Sequence, residues 1–207
     1  MWPWNINQKT MIHIICVAYE RVIPLRILID CFLVQTDPRW MLHIIYDGPP
    51  PKEIMDLIES YNALPFNVPV RFTWSPVRQK QYGHPNRKRL LNELLLNEDD
   101  FVLMTNDDNY YVPTFVAEML ASVTPNTGVI SCNTVHSHFA YTVHESTLVE
   151  YGIDMGAFVV NAPVAKAVGF NHVHFSADGV YAKECADYCA KAGLVTKHIS
   201  KPLFIHN

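Results

Sequence analysis

The sequence has no long apolar run and no excess of basic charge. No hydrophobic stretch reaches about 18 residues, the length that a membrane-spanning helix needs, and residues 1–8 are polar and interrupted by proline, unlike a signal peptide. The 207 residues carry a formal net charge of -4, which gives no basic face for a nucleic-acid backbone. We therefore expect a soluble, cytoplasmic protein whose main partner is not a nucleic acid.

The sequence also has few cysteines, and their number is odd. Three of the five lie inside apolar runs, where a reduced thiol packs as a small hydrophobic side chain. A reducing compartment is therefore the simpler expectation. The five residues are Cys16, Cys31, Cys132, Cys185 and Cys189.

Two common phosphate-binding motifs are missing as well. No G-x-G-x-x-G follows the first predicted strand, and the chain contains no G-x-x-x-x-G-K-[ST] loop. These absences argue against a dinucleotide-dependent dehydrogenase and against a P-loop protein.

The most informative feature that is present is the segment 101–109, in which an apolar run leads directly into two adjacent carboxylates. The run 101–105 predicts a strand buried on both faces, with Asp107 and Asp108 at its carboxyl end. Ligands of open α/β sheets bind at that edge, and adjacent carboxylates are best tolerated around Mg²⁺ or Mn²⁺ beside a substrate phosphate. The alternative is an ordinary solvated turn, in which Asp and Asn are also common.

Strands and helices alternate through the first half of the sequence, which predicts an α/β domain with a mostly parallel sheet flanked by helices. The alternation consists of strands at 12–17, 41–46, 70–74 and 101–105, with helices at 25–34, from Pro51, and from about Asn86 with Leu90, Leu91, Leu94 and Leu95 on one side.

The second half of the sequence is less regular. We expect one domain over residues 1–207, with a nucleotide-binding half to about residue 109 and an acceptor-binding half after it. The predicted helices of the second half cover 113–122, 163–168 and 178–192, the predicted strands cover 128–132, 157–161 and 195–199, and the His-rich stretch 133–151 is predicted to form loops and short edge strands.

Polar side chains follow the first, second and fourth predicted strands. In a parallel sheet these strand ends meet at one edge. We expect Tyr19 to stack on a nucleotide base, Asp47 to accept a hydrogen bond from it, and Asp108 to hold a metal on the diphosphate. The polar ends are Ala18, Tyr19 and Glu20, then Asp47, then Asp107 and Asp108.

Four segments occur in a recognisable order along the chain. They are IHIICVAY at 12–19, HIIYDG at 43–48, TNDDN at 105–109 and DMGAFVVN at 154–161, the last followed by VGF at 168–170 and SADG at 176–179. This ordered set resembles the glycosyltransferases of the GT-A fold, most closely the family 2-like members. The second segment is similar to the D-D-G strand end and the third to the D-x-D motif of that family. Each motif alone is weak, whereas the set spans nearly the whole chain.

The resemblance implies a metal-dependent hexosyl- or deoxyhexosyltransferase that moves a sugar from a nucleoside-diphosphate donor, with UDP favoured, to a glycan or other hydroxyl acceptor. It implies that Asp47 contacts the base, that Asp107 contacts the ribose or the metal, and that Asp108 holds Mn²⁺ or Mg²⁺. His206 falls where many such enzymes place a histidine on the metal or diphosphate, and Asp178 falls at the general base. Further implied contacts are Ala18, Tyr19, Glu20, Arg78, Lys80 and Arg87 for the nucleotide, and Asp154, Met155, Gly156 and His174 on the acceptor side.

The sequence departs from the family pattern at three positions. Tyr46 replaces the first Asp of D-D-G, Asn106 the first Asp of D-x-D, and Ala177 the acidic residue before the base, while the second carboxylate is retained each time. The Q-x-x-R-W motif of processive synthases is absent, which implies a single transfer, and the family mechanism implies inversion. The sequence stops after the His206 motif, as do excised first domains of multidomain glycosyltransferases, some from large DNA viruses. We therefore expect a piece of a larger protein, placed in the host cytoplasm if viral.

Several alternatives stay open. Asp178 also suits a helix N-cap, a role that is compatible with a base. The spacing of His136 with His138, and of His172 with His174, would suit zinc ligands on a strand, although loop histidines are more common. A sugar nucleotidyltransferase would share the fold but should have a Gly-rich, basic loop after the first strand. A non-catalytic binding module of this fold would tolerate the loss of Asp178.

Overall fold

Four parallel strands form the first half of the sheet in the computed structural model, which describes residues 10–207. β1 lies between β2 and β4, and β3 pairs with the outer edge of β2. The side chains of β1, β2 and β4 are mostly buried, as the uninterrupted apolar runs predict, whereas those of the edge strand β3 are partly buried or exposed. The strands are β1 (Ile12–Ala18), β2 (Trp40–Tyr46), β3 (Val70–Trp74) and β4 (Phe101–Asn106).

Three helices connect these strands. They are α1 (Val22–Leu33), α2 (Lys52–Asn62) and α3 (His84–Glu93). Helix α1 buries Leu25, Leu28, Ile29 and Phe32, which follow the i, i+3, i+4, i+7 spacing of one helix face.

The second half continues the same sheet with a change of strand direction. β8 (Phe158–Asn161) pairs antiparallel with β4, and the order runs on through β6 (Thr127–His136), β9 (Val195–His206) and β5 (Tyr110–Tyr111). β7 (Thr142–His144) pairs with β6 outside this path. The result is one nine-stranded sheet of order β3-β2-β1-β4-β8-β6-β9-β5, flanked by α4 (Phe115–Ala121), α5 (Ala162–Val168) and α6 (Ala177–Ala192).

Four elements depart most from the bounds expected from the sequence. Helix α3 ends at Glu93, so Leu95 does not share its apolar face and is 97% exposed. β6 and β9 run to His136 and His206, well beyond the apolar runs that marked their starts, and the two-residue β5 was not expected.

Other expectations concern the termini and the thiols. The prediction that residues 1–8 are not a signal peptide lies outside the described residues. Between residues 10 and 207 no helix is both long and apolar enough to cross a membrane. All five cysteines are free, and only Cys31 is not fully buried.

Candidate functional site

Two pockets open side by side, the first at the carboxyl ends of β1, β2 and β4 and the second among the ends of β6 and β9, the turn before β8 and the start of α6. The strand-end pocket, of about 760 Å³, is lined by charged residues that include Arg21, Asp47, Arg78, Lys80, Asp107 and Asp108. The histidine pocket, of about 500 Å³, is lined by residues that include His136, His138, His144, Asp154 and Asp178. Tyr82, Asn106 and His206 line both pockets, so a ligand in one lies next to a ligand in the other.

Asp47 organises the loop that follows β3. Its buried carboxylate accepts hydrogen bonds from the backbone N–H of Gln79 at 2.7 Å and of Lys80 at 3.0 Å, and from Asn86 Nδ2 at 2.7 Å. These donors fix Arg78 and Lys80 at the rim of the strand-end pocket. Asp47 therefore lies where the base contact was expected, but both of its oxygens already hold the loop.

The same loop has an unusual backbone. Lys80, Gln81 and Tyr82 have φ values of 58°, 49° and 56°, a left-handed region in which a side chain costs each residue roughly 1–2 kcal/mol. Residues held in this way cluster at ligand sites. The chain therefore stabilises a specific loop shape against the local preference of three consecutive residues.

Tyr19 and Arg78 form one contact surface. The Arg78 guanidinium carbon lies 3.6 Å from the centroid of the Tyr19 ring, a cation–π geometry. One face of the ring expected to stack on a base is thus covered by a cation. Glu20, the next residue, has φ 57° and donates its N–H to Tyr46 Oη at 3.1 Å.

Asp107 and Asp108 lie just beyond β4, and one arginine contacts both. Asp107 Oδ2 accepts the Tyr19 N–H at 2.9 Å, and Asp107 Oδ1 lies 3.3 Å from Arg21 Nη1, which also donates to Asp108 Oδ2. Burial raises the pKa of Asp107 to about 6, with a further rise from the Asp108 charge, against the lowering effects of the Tyr19 N–H and Arg21. Arg21 was missed at the sequence level, although it directly follows the polar end of β1.

Arg87 is placed differently from the expected phosphate contact. Its side chain is 0% exposed and donates to Tyr82 O at 2.6 Å, to Thr105 O at 3.3 Å and to Asn106 Oδ1. Burial lowers its pKa to about 10. Arg87 lies beneath the strand-end pocket and ties the 80–82 loop to the end of β4, so its placement does not support a direct contact with phosphate.

Asp178 stands in the first turn of α6 and faces the histidine pocket. Its Oδ1 accepts the Gly179 N–H at 2.8 Å, and the N-cap position of the helix belongs to Ser176. Burial raises the pKa of Asp178 to about 6, and the neighbouring Asp154 charge adds to the effect. A carboxylate with this pKa is ionised at neutral pH and more basic than usual.

Asp154 and His206 meet at the boundary between the two pockets. Asp154 accepts the Gly156 N–H at 3.0 Å, and its Oδ2 lies 3.5 Å from His206 Nε2. Burial raises the pKa of Asp154 to about 6. The His206 ring stacks on His136 with 4.1 Å between centroids, and burial lowers its pKa. A Cβ at residue 156 would overlap the Phe204 ring, so Gly156 allows β9 to reach this position.

The remaining acceptor-side residues differ in their placement. Met155 lines the histidine pocket, whereas His174 is exposed, lies outside its lining and contacts Ser176 Oγ at 3.2 Å. His172 lies 2.9 Å from Glu184. The His136 and His138 rings lie 5.0 Å apart in a tilted arrangement, yet across residues 10–207 no three His, Cys, Asp or Glu side chains converge on one metal position.

Comparison with solved structures identifies the architecture. No protein-family model matches the sequence, and no curated protein matches it either. The structure of S. aureus TarS superposes on 95% of this chain with a TM-score of 0.73 at 14% identity. The mannosyltransferase PcManGT from Pyrobaculum calidifontis, solved in complex with GDP-Man and Mn²⁺, superposes on 94% of this chain with a TM-score of 0.69 at 11% identity. The chain has the GT-A fold.

The GT-A match covers only part of those proteins. The chain spans 36% of TarS, 60% of its 1–349 fragment and 56% of PcManGT. Another structure of the TarS fragment, in complex with UDP-GlcNAc, has a TM-score of 0.69 over 94% of this chain and 58% of the fragment, at 14% identity.

The donor set at the end of β4 is suited to a metal that arrives with a phosphate ligand. Asp107 and Asp108 offer hard carboxylate oxygens, and His206 Nδ1 is a buried nitrogen with no hydrogen-bond partner among the described residues. Mg²⁺ commonly takes one or two carboxylates and completes its shell with substrate phosphates and water. Since no third protein side chain converges with the two carboxylates among residues 10–207, they suit Mn²⁺ or Mg²⁺ that takes its remaining ligands from a diphosphate and water.

Proposed function

We propose that the protein is a glycosyltransferase that moves a sugar from a nucleoside-diphosphate donor, with UDP favoured, to an acceptor hydroxyl. The observation that carries the proposal is the junction of two pockets in a GT-A fold. One is rich in cations and strand-end carboxylates, and the other holds a carboxylate of raised pKa. Support also comes from neighbours of this fold that were solved with UDP, with UDP-GlcNAc, and with GDP-Man and Mn²⁺.

The strand-end pocket is proposed to bind the donor. Arg78 and Lys80, fixed through Asp47, offer positive charge to the diphosphate, and the exposed part of the Tyr19 ring offers a surface for the base. Asp108, with Asp107, would hold Mn²⁺ or Mg²⁺. That ion would supply further positive charge against the negative charge that develops on the leaving diphosphate.

Asp178 is proposed to be the general base. It lies in the pocket next to the donor pocket, and its pKa of about 6 keeps it ionised at pH 7 while making it a stronger base than an exposed carboxylate. It would take the proton of the acceptor hydroxyl as that oxygen attacks the anomeric carbon. Attack from the side opposite to the diphosphate inverts the anomeric centre, and we propose one transfer per binding event.

The donor part is tested by thermal unfolding with UDP, GDP, dTDP and CMP, each with and without Mn²⁺. A ligand at 100 times its Kd stabilises the folded state by about 2.7 kcal/mol, which raises the midpoint by roughly 5–10 °C for a chain of this size. We expect a metal-dependent shift with one nucleotide that is lost in Asp108→Ala. The absence of a shift with every nucleotide would refute the proposal, and transfer activity that survives in Asp178→Asn would refute the role of the base.

A further inference from the structure

Arg21 occupies the position at which a cation is needed between Asp107 and Asp108. It is the residue before α1, it is half exposed, and its Nη1 contacts Asp107 Oδ1 and Asp108 Oδ2 together. We propose that Arg21 neutralises this carboxylate pair in the free protein, leaves it when a divalent cation enters, and then binds the diphosphate of the donor. The second half of this inference rests on the proposed function; the first half does not.

Charge balance gives the first argument. Two adjacent carboxylates repel each other unless a cation lies between them. Asp107 also accepts the Tyr19 N–H, but Asp108 has no hydrogen-bond donor other than Arg21 among the described residues. Arg21 therefore supplies the compensation that a metal would otherwise supply.

Mutual exclusion gives the second argument. A guanidinium and a divalent cation repel at contact distance, so both cannot hold the same carboxylate oxygens. A metal alone would have to displace Arg21 without offering it a new partner. A metal that arrives with a diphosphate offers that partner, because a guanidinium forms strong hydrogen bonds with phosphate oxygens. Metal and nucleotide should therefore bind as one unit.

The three arginines around the strand-end pocket differ in how firmly they are held. Arg87 is fully buried and donates hydrogen bonds to the chain. Arg78 is stacked on the Tyr19 ring and lies near Asp47. The Arg21 side chain is 50% exposed, and among residues 10–207 its polar contacts are with the carboxylates of Asp107 and Asp108. Arg21 is thus the arginine that can change partners without disturbing the fold.

The test compares Arg21→Gln and Arg21→Lys with wild type and with Arg26→Gln. Arg26 is an exposed arginine of α1 that lines neither pocket, so its variant is a matched control. Mn²⁺ binding without nucleotide is measured by the electron paramagnetic resonance of the free ion. Because the competing cation is gone, we expect Arg21→Gln to bind Mn²⁺ alone about tenfold more tightly than wild type. Arg21→Lys and Arg26→Gln should remain close to wild type.

UDP binding at saturating Mn²⁺ should change in the opposite direction. We expect Arg21→Gln to bind UDP about tenfold more weakly in a calorimetric titration, since a charged contact with the diphosphate is lost. Circular dichroism and thermal melts check that each variant is folded, and Arg21→Met, which also removes the charge, takes the place of Arg21→Gln if that variant is not.

Two results would overturn the inference. One is an affinity for Mn²⁺ alone that is unchanged or weaker in Arg21→Gln, and the other is UDP affinity in that variant equal to wild type. If no nucleotide binds to any of the four proteins, the proposed donor site fails. The Mn²⁺ titrations still decide whether Arg21 competes with metal, so the two failures are distinguishable.

Discussion

The carboxylates of the two pockets differ in how many donors the protein supplies to them. In the strand-end pocket, Asp47 accepts three hydrogen bonds and Asp107 is held by a backbone N–H and an arginine. In the histidine pocket, Asp178 accepts one backbone N–H, and Asp154 accepts one and faces His206 at 3.5 Å.

This difference separates two chemical tasks. A carboxylate surrounded by fixed donors keeps its geometry and organises a binding surface. Burial raises the pKa of Asp107 to about 6, as it does for Asp154 and Asp178, so basicity alone does not separate the two pockets. The difference lies in the partners: Asp107 contacts the Arg21 cation, whereas Asp178 accepts one backbone N–H and has no ion-pair partner among the described residues.

The largest effect is expected from Asp178→Asn. The change keeps the shape of the side chain and removes the proposed base, so kcat should fall by about 10²–10⁴-fold with little change in donor affinity. The free energy of unfolding should also rise by about 1–3 kcal/mol at pH 7. The reason is that the buried Asp178 carboxylate, with a pKa of about 6, is harder to ionise in the folded state than in the unfolded chain. Transfer assays and thermal melts measure both. Asp187→Asn, an exposed residue of the same helix, is the control, and a less stable Asp178→Asn protein would contradict the pKa argument.

Asp47→Ala should instead weaken donor binding. The Gln79 and Lys80 N–H groups lose their acceptor, and an unsatisfied buried donor costs about 1–3 kcal/mol. We expect the 77–83 loop to loosen and the donor KM to rise by about 10- to 100-fold, with a smaller change in kcat. Asp56→Ala, on the exposed face of α2, should leave both constants unchanged. A change in kcat alone would show that Asp47 does not organise the strand-end pocket for donor binding.

The pH profile should follow the base. Since the proposed base must be ionised to accept a proton and the pKa of Asp178 is about 6, kcat/KM should fall about tenfold per pH unit below pH 6. The Asp154 charge contributes to that raised value, so Asp154→Asn should move the acid limb to lower pH. Initial rates between pH 4.5 and 8 measure the limb, and an unshifted limb in the variant would show that the two carboxylates are not coupled.

The smallest effect concerns a histidine far from both pockets. His43 stacks on His13, and burial lowers its pKa to about 4. As the pH falls below 6.5, His43 of the unfolded chain binds a proton before His43 of the folded chain does. The free energy of unfolding therefore decreases as the pH falls from about 6.5 to 4. In His43→Gln the decrease in the free energy of unfolding between pH 7 and pH 5 should be smaller than in wild type by about 1–2 kcal/mol. Urea unfolding of the variant and of wild type at pH 5 and 7 gives the difference, and an equal pH dependence in the two proteins would contradict the prediction.

The first half of the fold was predictable because its strands are apolar runs and its helices show one apolar face. The ends of β6 and β9 were not, since Asn133, His136 and Lys201 have no strand signal. These residues are extended because the two strands pair with each other, through register shifts near Cys132 and Asn133.

The candidate site was predictable to a similar extent. The aspartates at the strand ends and His206 lie at the pockets because strand direction and order determine where those ends meet. The burial of Arg87 was hidden by its polar neighbours, since the acceptors that hold it are backbone and amide oxygens brought together by folding. Arg21 lies 86 residues from Asp107, and no local pattern relates the two.

The pairing of β4 with β8 has a mechanical consequence. β4 leads into Asp107 and Asp108, β8 follows the turn that carries Asp154, and the two strands are joined at Phe101 with Asn161, Val102 with Val160 and Leu103 with Val159. The end of β4 and the turn before β8 are therefore held by one strand pair, and the spacing of the two pockets depends on the register of that pair. A slip of one residue would turn the side chains of β8 to the opposite face.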